Sequence, residues 1–198
     1  MISRQPPIAS GESFASLAGG LLRHPWRREL SVDEIPAPQR IAPFSAAIAA
    51  DVLMAGEEVG NGRLILLHDP AGNDAWDGTF RCVTYARADV DLEMVTDPLL
   101  AEVGWSWLTD ALASHAAAYT AASGTVTAVS SRAFGEMSDN PDRAEVEIRA
   151  SWTALISTTK ELAAHLDAWQ DLLCMTAGLP PTTADVVVLG TRARSAKR

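Results

Sequence analysis

Residues 63–87 read RLILLHDPAGNDAWDGTFRCVTYAR, and their periodicity decides the fold. From 63 to 68 the run is almost wholly aliphatic, which suits a strand near the middle of a sheet. Segment 79–87 sets Phe80, Cys82, Thr84 and Ala86 against Arg81, Val83, Tyr85 and Arg87. An alternation of two yields one apolar and one mixed face only on an extended chain. Between them, 69–78 carries the Asp, Asn, Gly and Pro of a turning loop, so the two strands are expected to be antiparallel neighbours.

Working towards the amino terminus, Phe44, Ala46, Ile48, Ala50, Val52 and Met54 share one face of a further strand. GEEVGNG at 56–62 reads as its hairpin loop. The prolines at 36, 38 and 43 make 33–43 an extended connector. Before it, Ser10 is an N-cap for a helix on which Phe14, Leu17, Leu21 and Leu22 recur at helical spacing. Gly19 and Gly20 weaken this helix, and Arg23, Arg27 and Arg28 follow its end.

Towards the carboxyl terminus, Asp97 and Pro98 mark a helix start, and the apolar run predicts a helix over 97–119. Leu100, Val103, Trp107 and Ala111 form the stripe expected to face the sheet. Trp105, Leu108 and Leu112 lie beyond it, a surplus that asks for a second neighbour. Two strands follow at 124–134 and 144–153, separated by a turn at 135–143. The second alternates Val146, Ile148, Ala150 and Trp152 with Glu145, Glu147, Arg149 and Ser151, so one of its faces should be wet. Thr158 and Glu161 stand at capping-box spacing before a final helix lined by Leu162, His165, Leu166, Trp169 and Leu173. The order α-β-β-β-α-β-β-α describes an α+β domain over 10–178 with a five-stranded, mainly antiparallel sheet packed by helices. Residues 1–9 and the basic tail at 179–198 are expected to be mobile. Within the tail, 186–189 reads equally as a last strand or a docking segment.

Composition narrows the function classes. The 198 residues carry a formal net charge of −9, and the tail holds Arg192, Arg194, Lys197 and Arg198, leaving the body more acidic still. Direct nucleic-acid binding, which needs a clustered basic face, is not expected. No run reaches the roughly 18 apolar residues of a membrane span. Cys82 and Cys174, far apart and without a nearby histidine pair, read as buried thiols of a cytoplasmic protein rather than a disulfide or zinc site.

Catalytic signatures are missing. No nucleophile elbow, phosphate loop or familiar serine motif occurs, and no cofactor is implied. The polar loop offers His68, Asp69, Asn73, Asp74 and Asp77, of which Asp69, Asp74 and Asp77 are weak candidates for a hard cation; a solvated turn accounts for them equally. Glu145 and Glu147 share a strand face at a spacing glycoside chemistry could use, or simply form a wet face. Trp76 and Trp105 lie outside the apolar stripes, where such rings either anchor an interface or pack beneath loops.

Five segments, VDEIPAPQRIAPF from Val32, LLHDPAGNDAWDGTFRCVTYARAD from Leu66, TDPLLAEVGWSWLTDAL from Thr96, SGTVT from Ser123 and AEVEIRASWTAL from Ala144, together resemble an actinobacterial family known as domain of unknown function 3000. The resemblance spans roughly residues 25–178 and carries no assigned activity. Its members are encoded near a ribonuclease D-like gene, which implies an accessory role in RNA processing as one alternative. The order of elements is also similar to that of type III secretion chaperones, small acidic proteins that dimerise and hold an extended partner segment.

The leading expectation is therefore a non-enzymatic adaptor or chaperone-like domain that binds a protein partner or a second copy of itself through Trp105, Leu108, Leu112 and Trp76 and an exposed sheet edge. The alternative is a small-molecule or metal-dependent site in the loop from His68 to Asp77.

Overall fold

A computed structural model describes residues 11–182; Ser10 and the 186–189 segment lie outside the described residues. Three helices, α1 (Gly11–Arg23), α2 (Leu100–Ser114) and α3 (Thr159–Thr176), accompany six strands. The strands are β1 (Leu30–Glu34), β2 (Phe44–Met54), β3 (Glu57–Asn73), β4 (Gly78–Asp89), β5 (Tyr119–Ser131) and β6 (Arg143–Ala154). They form one antiparallel open sheet ordered β1-β2-β3-β4-β6-β5. The α+β class holds, but the sheet has one strand more than the five expected. The missed strand, β1, is five residues long and abuts the proline connector, too short for an alternation to stand out.

Three boundaries also differ. The β2–β3 connection is the tight Ala55-Gly56 turn, both residues at positive φ, while Glu57–Gly62, expected as a loop, already pairs with β2. Pairing of β3 with β4 breaks after His68 and resumes at Asn73–Gly78, leaving 74–77 as the turn. Helix α2 starts at Leu100 rather than Asp97, whose carboxylate instead accepts from the Leu99 amide at 2.8 Å. It ends at Ser114, and Tyr119 already belongs to β5.

All three helices lie on one face of the sheet, and the alternation of each strand explains why. Phe80, Cys82 and Ala86 of β4, Leu64 and Leu66 of β3, and Val146, Ile148 and Trp152 of β6 turn to that side and are fully buried. Helix α3 lays Leu162, Leu166, Trp169 and Leu173 over them, seated by the expected capping box of Thr158 and Glu161. Gly62 lets it approach, because a Cβ there would collide with the Leu173 side chain. Both buried indoles find acceptors: Trp169 Nε1 donates to Thr84 Oγ1 at 2.9 Å and Trp152 Nε1 to His165 Nδ1 at 3.1 Å.

The stripe of α2 is rotated from the expected one. Leu100, Gly104, Leu108, Ala111 and Leu112 are buried, whereas Val103 is 43% exposed and Trp107 half-buried. The second neighbour that the surplus demanded is α3 of the same chain, against which α2 packs more extensively than against β5. Leu22 of α1 likewise faces solvent, while Phe14, Leu17 and Leu21 are buried.

Burial fixes the protonation of the core. It pushes the Cys82 thiol up to about 12 and that of Cys174 up to about 11, so neither is a thiolate at neutral pH. It lowers His165 to about 4, against the opposing pull of the Ala118 carbonyl and Glu161. An unfolded histidine titrates near 6.5, so between about pH 6.5 and 5 the unfolded chain takes up a proton that native His165 refuses. Stability should therefore fall by about 1.4 kcal/mol per pH unit as acid is added across that window. Urea midpoints at pH 7, 6 and 5 check this: the slope should be present in the native protein and shallower in His165→Asn, and a flat native profile would contradict it.

Candidate functional site

The open face of the sheet is built by register. Arg63 of β3 stands opposite Tyr85 of β4, Tyr85 opposite Arg149 of β6, and Arg149 opposite Thr125 of β5. The adjoining row runs Ile65, Val83, Ser151, Ser123. Over these two rows lies a groove of about 490 Å³, with Ile65, Val83 and the Tyr85 ring as its apolar floor. Arg63 and Arg149 flank it on one row, and the hydroxyls of Ser123, Thr125 and Ser151 line the β5 side.

Its charges are unevenly matched. The Arg149 guanidinium carbon sits 5.3 Å from the Tyr85 ring centroid, and one of its nitrogens meets Glu147 at 2.7 Å. Burial first, then the Glu147 carboxylate, raise the Tyr85 phenol, which donates to Glu147 Oε1 at 3.2 Å. Arg81, on the next row, donates to Ser151 Oγ at 2.6 Å, Ser123 Oγ at 3.3 Å, Thr153 Oγ1 at 3.0 Å and the Ala121 carbonyl at 2.8 Å, all neutral acceptors. Among the described residues neither Arg63 nor Arg81 has a carboxylate within ion-pair distance. In a chain with nine more acids than bases, that is a local surplus of positive charge.

The two edges of the sheet differ. β1 is short, carries Asp33 and Glu34, and runs into the proline connector. β5 is 13 residues long with no charged residue and no proline, and among the described residues its pairs are all with β6. Its one irregularity lies between Thr120 and Ser123, where Ala121 has a φ of 49°; from Ser123 to Ser131 the ladder is regular. Beside it Trp105 of α2 covers Gly124.

The residues singled out from sequence are scattered. Leu108 and Leu112 are 0% exposed in the core of the single chain, which corrects their expected place on a free apolar surface. Trp105 is half-buried against that core, and Trp76 closes the β3–β4 turn, its Nε1 donating to the Gly78 carbonyl at 2.8 Å while its own carbonyl accepts from Thr153. Asp69 accepts from the Ala71 amide and Asn73 from that of Ala75, as turn residues do. Among the described residues no three His, Cys, Asp or Glu side chains converge as a metal site, so Asp69, Asp74 and Asp77 are not brought together. His68 is buried in a stack with Phe14, Phe44 and Phe80, its Nδ1 on the Thr79 carbonyl at 3.0 Å. Glu145 is engaged by Arg87, and Glu147 by Tyr85 and Arg149. Sequence reasoning passed over Arg63, Arg81, Tyr85 and Arg149. The alternation along β4 and β6 had set Arg81, Tyr85 and Arg149 on the faces opposite the apolar ones, while Arg63 stood in a run read as aliphatic, and only the register sets them side by side.

A second polar cluster joins the far ends of the helices. Asp171 of α3, 1% exposed, meets His115 Nε2 at 2.7 Å and Arg27 at 3.5 Å, and accepts from both the amide and hydroxyl of Thr182. Residues 179–182, expected as the start of a mobile tail, are thereby held: Leu179 packs on the core and the Pro180 carbonyl accepts from Arg27. Nearby, burial lowers His24 despite its 3.0 Å contact with Asp167, whose carboxylate pulls the other way. Closed by these contacts on both carboxylate oxygens, the cluster reads as a brace. Asp171→Ala strands the Arg27, His115 and Thr182 donors, and should cost about 3–5 kcal/mol in urea unfolding; a loss under about 1 kcal/mol would show that the brace carries no weight.

No helix among the described residues is long and apolar enough to cross a membrane. No curated protein and no solved structure matches the chain. One family does, described as Protein of unknown function (DUF3000), over residues 10–187 of the 198, and it is to this family that the chain belongs.

Proposed function

We propose that this protein is a partner-binding domain, not an enzyme, which takes up an extended protein segment by adding it as a seventh strand to β5. The observation that carries this is the contrast between the two edges. Sheet edges in soluble proteins are blunted by shortness, charge, proline or a covering element, because a row of unpaired amides and carbonyls templates another strand. β1 has those guards in Asp33, Glu34 and the prolines that follow; β5 has none across 13 residues. Trp105, half-buried beside Gly124 of β5, offers an added strand a helix-side surface to rest on. Trp105 keeps its role as an anchor in this reading, whereas Leu108 and Leu112 support it only from within the core.

The mode is the one a chaperone-like domain would use: main-chain bonds supply affinity and alternate side chains supply selection. A second copy of the chain can occupy the same edge, because β5 is neutral and two such strands do not repel. Two buried, reduced thiols fit a cytoplasmic setting.

Hydrogen exchange tests it. Peptides selected from a displayed library of random sequences should slow exchange within 123–131, and sedimentation should show self-association that competes with them. Thr127→Lys, which places a charge on the exposed edge, should weaken both by about tenfold or more without changing the circular dichroism spectrum. A monomer at all concentrations that selects no peptide protecting β5 would overturn the assignment.

A further inference from the structure

The groove on the open face is a separate matter from the edge. Strands in a sheet stand about 4.8 Å apart, so a strand added to β5 would lie three spacings, about 14 Å, from β4, whose Val83 and Tyr85 floor the groove. Side chains of such a strand meet the β5 rim of the groove and fall short of its floor on β3 and β4.

We infer that the groove is a binding site for a small organic acid with a flat apolar body, whose carboxylate is held by Arg63 and Arg149 while the body lies over Tyr85, Val83 and Ile65. Its size of about 490 Å³ falls within the range of ligand sites, and its make-up follows theirs, an apolar floor with a few convergent polar groups. The guanidiniums argue for an anion. Arg63 has no carboxylate partner, and Arg149 spends one nitrogen on Glu147 and keeps the rest of its planar fork, which suits a carboxylate. Arg81 stands behind the hydroxyl side. By donating to Ser123 and Ser151, whose own hydroxyl oxygens lie 3.5 Å apart, it leaves at least one of the two hydroxyl hydrogens to point into the groove, polarised by a cation with no carboxylate within ion-pair distance among the described residues. The floor argues against a bare anion, because Ile65 and Val83 gain only from covering by apolar surface, and the π face of Tyr85 attracts cations and not anions.

Amide resonances followed by two-dimensional NMR provide the test, with benzoate as the probe, benzamide as its uncharged counterpart and inorganic phosphate as an anion without a body. Benzoate should shift the amides of Val83, Tyr85, Thr125 and Ser151 saturably, with a Kd on the order of 1 mM, as befits a fragment. Benzamide and phosphate should each bind about tenfold more weakly or worse. The double variant Arg63→Gln, Arg149→Gln should lose about tenfold in benzoate affinity with the remaining spectrum unmoved, whereas Arg132→Gln, an exposed arginine paired with Asp142 outside the groove, should leave it unchanged. No saturable shift at those four amides up to about 10 mM benzoate overturns the inference. So does equal binding of benzamide, of phosphate, or by the double variant.

Discussion

The packing of α3 onto one face of the sheet is the contact on which the rest of the molecule depends. Its stripe from Leu162 to Leu173 covers the inward side chains of β3 and β4 and at the same time supports α1 and α2. Two tryptophans dominate this layer, and each presents an indole N–H that would be costly to bury alone. Thr84 answers Trp169 and His165 answers Trp152, so the hydrogen bonds fix which strand lies beneath which turn of the helix. His165 meets this role only as a neutral ring, which is why the core has a built-in sensitivity to acid.

One-sided packing has a consequence for the other side. Once three helices occupy the inner face, α+β architecture leaves the outer face of the sheet to solvent, and its side chains are free of the demand to fill a core. Part of that face is closed locally. Ser45 bonds the Pro38 carbonyl of the connector, and the Thr153 hydroxyl meets the carbonyl of Trp76 in the β3–β4 turn. Both coverings fall on the row of Leu67 and Arg81, and the arginine-flanked groove remains open on the next rows along the strands. The crossing made by α2, from the end of β4 past the position of β6, then delivers β5 to the margin of the sheet, where its neutral sequence stays unpaired on one side.

Much of the fold was legible because periodicity is a local property. The alternation in 79–87 and 144–153 defined β4 and β6 and sorted their faces correctly, and the capping box with the stripe behind it defined α3. Errors gathered where local signals compete. Asp97-Pro98 is a sound helix start by composition, yet its carboxylate caps a turn one step earlier; the apolar run beyond Ser114 blends into β5 because Ala117 and Tyr119 suit either period. β1 and the first residues of β3 were read as loops since short, charged or glycine-rich stretches become strands only when a partner supplies their hydrogen bonds.

By itself, then, the sequence determined the class of fold, five of the six strands, the inward faces of β4, β6 and α3, and the acidic balance of the chain. The tertiary structure alone decided that α2 has α3 as its second neighbour, and that Leu108 and Leu112 are core. It alone decided that β5 is an edge, and that Arg63, Tyr85 and Arg149 stand abreast. The physical reason is that these are matters of pairing between segments distant along the chain. A side chain's face follows from its own strand, but its neighbours across the sheet follow from register and strand order, which no local pattern encodes.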